Sequence, residues 1–335
     1  MVRAYHAGMN RPELPDVPGA AWRPLVPGDA EAMADLHNAC FAVDRTYRTT
    51  PGEMGDEFER FGEHAHADSI GALTVGGEML ALGWSLVPES GKTEHRSFVW
   101  LLVHPQIRDS VEDDLVDWIE SAAISRLRTF DDDLPMAMYR YEVYDTMATE
   151  RALFERHGFV AARYFTENLR DLSEPIGAAP LDEGLVAKVW SDDIAEAALT
   201  VHNDAFADHW GSQPIEPDHW ASYHANEFFQ PTVSWVVYDG DKPVAYMQCS
   251  RYPHDWEDRG RTEAWIEGIG TIASHRGRGI ASTLITMAML AFRSDGMEYA
   301  ILGVDSENST GANRIYERLG FVPERRMISF RKPVD

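Results

Sequence analysis

The chain repeats itself at a separation of about half its length, and that limits the possible folds more than any other feature. His202-Asn203-Asp204-Ala205-Phe206 echoes His37-Asn38-Ala39-Cys40-Phe41 from 165 positions earlier. Ile315-Tyr316-Glu317-Arg318-Leu319-Gly320-Phe321 echoes Leu153-Phe154-Glu155-Arg156-His157-Gly158-Phe159 from 162 positions earlier. Self-similarity on this scale means one supersecondary plan used twice. The 335 residues also suit two domains of about 150 residues better than one core. Reading the anchors as matching ends gives a domain at 1–170, a linker at 171–183 and a domain at 184–335. The linker carries Pro175, Gly177 and Pro180 between small residues.

Within the second half, Gly184–Trp190 reads as a strand and Ser191–Ala207 as a helix opened by Ser191 and Asp192. Pro217–Glu227 is a second helix. Thr232–Tyr238 and Pro243–Ser250 flank Asp239-Gly240-Asp241, a hairpin signal. Thr262–Ile272 is a long strand, Gly279–Arg293 an apolar helix, and Tyr299–Val304 a short buried strand. Thr310–Leu319 is a helix ended by Gly320, and Phe321–Arg331 the last strand. The first half follows the same order and ends in a strand at Phe159–Leu169. Both halves are therefore α/β.

Charge removes several function classes. The formal net charge is −25, with acidic residues spread over both halves. Nucleic-acid binding needs clustered Lys and Arg, so no nucleic-acid partner is expected. A negative field suits a cationic or amine substrate, and acidity also serves solubility. No apolar run reaches the ~18 residues of a membrane span, and Met1–Asn10 lacks an apolar signal core. Cys40 and Cys249 are the two cysteines. Neither has neighbours at metal-ligand spacing, so the expectation is a reducing cytoplasm, no disulfide and no metal.

The chemistry gathers after the long strand, at Arg276-Gly277-Arg278-Gly279-Ile280-Ala281. Glycines let a backbone approach a ligand closely, and the open N–H groups of a helix's first turn attract phosphate. Arg276 and Arg278 add charge within reach of phosphate oxygens. Alone, such a loop fits a plain strand-to-helix turn with solvated arginines better than an anion site. Here it fits Arg/Gln-x-x-Gly-x-Gly/Ala between strand and helix, and a second signature follows about 30 residues later. Val304-Asp305 ends a strand, Asn308 lies in a loop, and Asn313, Tyr316, Gly320 and Phe321 space the next helix and its exit. Together these residues closely resemble the Gcn5-related N-acetyltransferase (GNAT) superfamily over Gly184–Arg331.

That resemblance implies a mixed, strongly curved sheet flanked by helices, and acetyl-CoA as co-substrate. It places Ile269, Gly270 and Thr271 at the end of a splayed strand that pairs with the pantetheine arm. The N–H groups of Arg276, Gly277, Arg278, Gly279, Ile280, Ala281 and Ser282 would receive the pyrophosphate. Asn308 and Asn313 match cofactor-contacting positions, and Tyr316 matches a tyrosine that protonates the departing thiolate. An amine is protonated near neutral pH, so a base must also act. Glu267 is the candidate. Strict alternation would put Glu263, Glu267 and Thr271 on one face, where two carboxylates raise one pKa. Solvated or amine-binding glutamates are the other reading. His275 and His202 read as structural. Asp204 and His209 are candidates for the cleft lining. Trp210, Trp220, Tyr223, Phe228 and Phe229 form either an acceptor pocket or core.

The first half lacks these parts. Opposite Gly277–Ser282 stand Asp109, Ser110, Val111, Glu112, Asp113 and Asp114, and Arg108 is opposite Arg276. Four carboxylates repel a pyrophosphate, and the lost glycines deny close approach. Phe154 stands at the tyrosine position and Val99 at that of Glu267. The arrangement resembles the tandem GNAT domains of mycothiol synthase-like acetyltransferases, with a degenerate N-terminal and a catalytic C-terminal domain. That likeness is one of architecture and does not fix the acceptor. The expected chemistry is direct transfer to a primary amine of a small molecule, with a protein acceptor as a further alternative, by a monomer or homodimer. An acyl-CoA or amine sensor without turnover is the rival from another class.

Overall fold

The computed structural model describes residues 11–59, 66–88, 93–207, 209, 212–307 and 312–335. It divides into two compact units, Met1–Arg163 with Met327–Asp335, and Tyr164–Arg326.

The first unit holds β1 (Ala20–Arg23), β2 (Ser69–Thr74), β3 (Met79–Leu86), β4 (His95–Val103) and β5 (Met136–Tyr144). Its helices are α1 (Ala30–Asp44), α2 (Pro51–Glu59), α3 (Arg108–Leu127) and α4 (Ala148–Arg156). The second unit holds β6 (Val160–Asp171, from Tyr164 on), β7 (Leu185–Val189), β8 (Trp235–Asp239), β9 (Lys242–Ser250), β10 (Glu263–Thr271) and β11 (Tyr299–Asp305). Its helices are α5 (Ala195–Ala205), α6 (Pro217–Ala225), α7 (Trp256–Arg259), α8 (Ile280–Ser294) and α9 (Ala312–Arg318). The last strand, β12, spans Val322–Val334.

The strands of each unit follow the same pairing rule. β1 to β4 pair antiparallel in sequence, and β4 pairs parallel with β5. β7 to β10 do the same, and β10 pairs parallel with β11. Repeat and unit part company at the closing strand. β6 ends the first repeat in sequence, yet Phe165–Asp171 pairs with β11 in the second unit. β12 ends the second repeat, yet Met327–Val334 pairs with β5 in the first. The stretch 171–183 is also not a loose connection. Leu172 is buried in the second core, and Thr283 Oγ1 donates to Pro180 O at 3.2 Å.

Each core forms where apolar periodicity meets a sheet face. α8 buries Ile280, Leu284, Ile285, Ala288, Met289 and Phe292, a stripe at three- and four-residue spacing. Phe292 is fully buried, so Phe292→Ala would cost about 3–5 kcal/mol. β4 alternates buried and half-buried residues along its length, as a strand with two unequal faces does. In the first unit α3 crosses β3 at Gly83, where a Cβ would lie 2.6 Å from Ile119 Cδ1. A larger residue there would force the Ile119 and Leu115 side chains to shift.

The parallel pairs stop early, and this positions the site. β10 pairs with β11 only over Glu263–Ile266. Beyond that, β10 stays on β9 as far as Thr271, while β11 stays on β6 as far as Asp305. The two central strands therefore open a cleft toward their C-terminal ends. β4 and β5 part in the same way after Phe98 and Tyr139.

Candidate active site

The chain leaves β10 through a short 3-10 turn at Ala273–His275 and enters α8 at Ile280. Gly277 and Gly279 have φ of +78° and +76°, which only glycine adopts without strain, and a Cβ at either would meet open space. Among the described residues, the N–H groups of Gly277, Arg278, Gly279, Ile280, Ala281 and Ser282 have no hydrogen-bond acceptor. The first helical bond here is Thr283 N–H to Gly279 O at 3.0 Å. Six consecutive open donors at a helix N-terminus, with a positive dipole end behind them, make an anion cradle.

Arg276 departs from the sequence expectation. Its N–H bonds Ala273 O at 3.4 Å, and its guanidinium donates to Thr271 O at 3.1 Å and Ala205 O at 2.9 Å. It ties the strand end to α5 instead of facing the cradle. Arg278 pairs with Asp182 at 3.0 Å and lies 3.5 Å from Asp239. His275 bonds Asp239 through Nε2 at 3.1 Å and Ser274 through Nδ1 at 2.9 Å, so it braces the turn.

The strand itself corrects a second expectation. Ile266 opposes Cys249 but Gly268 opposes Gln248, so one extra residue bulges at Glu267. The extra residue puts Thr271 on the face opposite Glu263. Glu263 is 2% exposed and held by Arg261 at 2.7 Å and Arg259 at 3.6 Å. Burial pushes its carboxyl up, and the two arginines oppose that shift. Glu267 is exposed and accepts a hydrogen bond from Tyr252 Oη at 2.9 Å. A carboxylate pair on one buried face is therefore not what these glutamates form: Glu263 is locked in ion pairs and Glu267 stands apart at the bulge.

Gly270 matters for a different reason from the loop glycines. A Cβ there would lie 2.8 Å from the Tyr246 ring and 3.0 Å from Ala205, so only glycine lets α5 close over β10. Ile269 is half-buried beside it. Tyr246 is fully buried and its hydroxyl meets His202 Nδ1 at 2.7 Å. Burial lowers the His202 pKa to about 4, so the ring is neutral near pH 7. The sequence reading missed Tyr246, because a tyrosine inside an apolar strand looks like ordinary core.

Tyr316, on α9, packs against Phe321 with ring centroids 6.3 Å apart. Its hydroxyl has no hydrogen-bond partner among the described residues, and burial pushes its pKa up to about 12. It thus keeps its proton at neutral pH. Asn313 spans the carbonyls of Asp305 and Ser306, each at 3.5 Å, and its buried Oδ1 lacks a partner among the described residues. Thr271 Oγ1 is unpartnered in the same sense. Asn308 and Trp210 lie outside the described residues. Trp220 and Phe228 are buried, Phe229 is half-buried, and Tyr223 is exposed. Trp220 belongs to the core cluster. His209 Nε2 approaches Asp305 at 3.6 Å, whereas Asp204 is exposed.

A splayed parallel strand pair, an open-amide helix start and a protonated tyrosine on the following helix are the features that a likeness to the GNAT acetyltransferases calls for. Residues 196–321 match the model of the acetyltransferase (GNAT) family. The mycothiol acetyltransferase of Parafrankia sp. is 25% identical over 332 residues, spanning 91% of this chain and 93% of that protein. The N-alpha-acetyltransferase MAK3 of Arabidopsis thaliana is 30% identical over 115 residues, 34% of this chain, which spans 58% of the plant protein's length. A tandem GNAT protein from the clavulanic acid biosynthesis pathway superposes with TM-score 0.63 at 14% identity, covering 94% of this chain and 98% of that one. At that identity the likeness shows the fold, a tandem GNAT architecture.

Proposed function

We propose that the second unit transfers an acetyl group from acetyl-CoA directly to a primary amine, most simply that of a small molecule. The observation that carries this reading is the run of open N–H groups from Gly277 to Ser282 beside the parted β10 and β11. Those amides would hold the pyrophosphate, and Arg278 would exchange Asp182 for a phosphate oxygen. The free edge of β10 at Ile269, Gly270 and Thr271 would hold the pantetheine arm and polarise the acetyl carbonyl. Asn313 has an unfilled acceptor for an amide N–H of that arm. Acetyl-CoA supplies an activated thioester, whose C–S bond breaks as the amine nitrogen forms the new C–N bond.

Two chain residues handle protons. Glu267, accessible at the bulge and oriented by Tyr252, would take the proton that the amine must lose, directly or through water. Tyr316 would give its proton to the leaving thiolate. Cys249 cannot act as a covalent relay: burial raises its thiol well above the usual range.

A protein acceptor is the second reading, favoured by the likeness to an N-alpha-acetyltransferase over 115 residues. Thiol release from acetyl-CoA, measured with panels of small amines and of N-terminal peptides, separates the two. Acetylated small amines by mass spectrometry support the main reading, and turnover confined to peptides replaces it. CoA binding with no turnover on either panel would make the chain a sensor.

A further inference from the structure

The cleft between β4 and β5 in the first unit keeps a cavity of about 60 Å³. On that measure a water takes about 10–15 Å³, so there is room for roughly four to six non-hydrogen atoms. Four carboxylates line it, those of Asp44, Glu112, Glu142 and Glu150, against two guanidiniums, Arg108 and Arg140. Arg108 binds Asp44 through both terminal nitrogens at 2.8 and 2.5 Å, and Arg140 pairs with Glu150 at 2.8 Å. Among the described residues, Glu112 has only a long 3.7 Å approach to Arg108.

His37 also lines this space. It is 4% exposed, and its Nδ1 has no hydrogen-bond partner among the described residues. A buried nitrogen without a partner is costly, and a ligand or water in the cavity is the ordinary remedy. Tyr47 and Trp100, also in the lining, sit with ring centroids 5.0 and 6.0 Å from the imidazole. The Glu112 carboxylate, a neutral imidazole and two π faces are the donor set for an ammonium group.

We propose that this cavity in the first unit binds a small primary ammonium compound, independently of acetyl transfer in the second. Its carboxylates carry the charge recognition, and His37 Nδ1 accepts one ammonium hydrogen. The backbone at Glu142 agrees with this role. It has φ of +59° beside a bulge of β5 against β12, a geometry that can turn a strand side chain out of its alternation. Burial also pushes the Glu112 carboxyl up to about 7, so a cation beside it would drive off its proton.

The test is calorimetric titration of the full chain, without CoA, using methylammonium and ethylammonium against ethanol and acetate as isosteres. Saturable binding of the ammonium probes alone is expected. Glu112→Gln should weaken it at least 10-fold, and His37→Phe should do so by filling the space. Glu267→Gln should leave it unchanged, which separates this site from the acceptor site of the second unit. Circular dichroism of each variant checks that the fold survives. Where His37→Phe fails to fold, Glu112→Gln decides. Absent ammonium binding, equal binding of ethanol, or loss only in Glu267→Gln would overturn the proposal.

Discussion

The two units spend the same strand-to-helix junction on different things. In both, an arginine reaches back five residues to the end of the central strand. Arg108 Nε bonds Val103 O at 3.2 Å, and Arg276 Nε bonds Thr271 O at 3.1 Å. In both it also grips the end of the unit's first long helix, through Asp44 in one and Ala205 O in the other. The repeat thus identifies the arginine as a staple of the fold. What separates the units comes next. The second has two glycines at positive φ and six open amides, whereas the first enters α3 at once with Asp109, Glu112 and Asp113 in its opening turns. Arg156 and His157 bind Asp113 and hold its carboxyl down to about 2, so that charge is permanent. On the proposed function, ligand affinity at this junction would reside in the backbone and in the absence of carboxylates.

The largest expected effect comes from making the second junction resemble the first. Gly279→Glu puts a carboxylate into the cradle and forces a side chain onto a positive φ. Like charges about 4 Å apart at an effective dielectric near 20 repel by about 4 kcal/mol. CoA binding by calorimetry should fall at least about 100-fold, while Asp109→Gly, at the position opposite Gly277 in the first unit, should leave it as it was.

Next is Tyr316→Phe, which copies Phe154 of the first repeat. If the hydroxyl donates the proton to the thiolate, kcat should drop by about 100-fold or more with KM nearly constant. An unchanged kcat would move that proton elsewhere.

The staple predicts a smaller, asymmetric pair. Arg108→Ala strands the half-buried Asp44 and should destabilise its unit by about 2–3 kcal/mol in urea melts. Arg276→Ala loses bonds to main-chain carbonyls at the surface and should cost about 1 kcal/mol. Equal losses would mean that the two arginines do not differ as their partners do.

The smallest effect is shared by both units. Burial lowers His37 and His202 to about 4, so both rings are neutral in the folded chain and take up protons on unfolding. The unfolded state then binds more protons between about pH 4 and pH 6.5, and stability falls as pH drops through that window. His202→Gln should flatten the slope by about one proton, and so should His37→Gln. An unaltered slope in either would show that the ring is already charged when folded.

Much of this was legible in the sequence, for reasons that particular residues make clear. Local signals worked: Asp239-Gly240-Asp241 marks the β8–β9 hairpin, and apolar spacing marks α8 to within a residue at each end. The glycines of the loop need positive φ, so their placement was readable too. Other features were not. The Glu267 bulge depends on how β10 meets β9, and nothing in Trp265–Gly268 encodes the extra residue. Arg276 reads like a phosphate ligand because its real partners are carbonyls, one of them 71 residues away. The closing strands β6 and β12 carry similar patterns, and which unit each joins is settled by tertiary geometry. Tyr246 and Tyr252 were missed because their partners, His202 and Glu267, are distant in sequence or hidden by the bulge.

The central claim is that one junction in this molecule can hold a diphosphate and its twin cannot. Titration of the full chain with CoA, followed by calorimetry, counts the sites directly. One site per chain, lost in Gly279→Glu, is the predicted result. Two equal sites, or one site that survives Gly279→Glu, would contradict it.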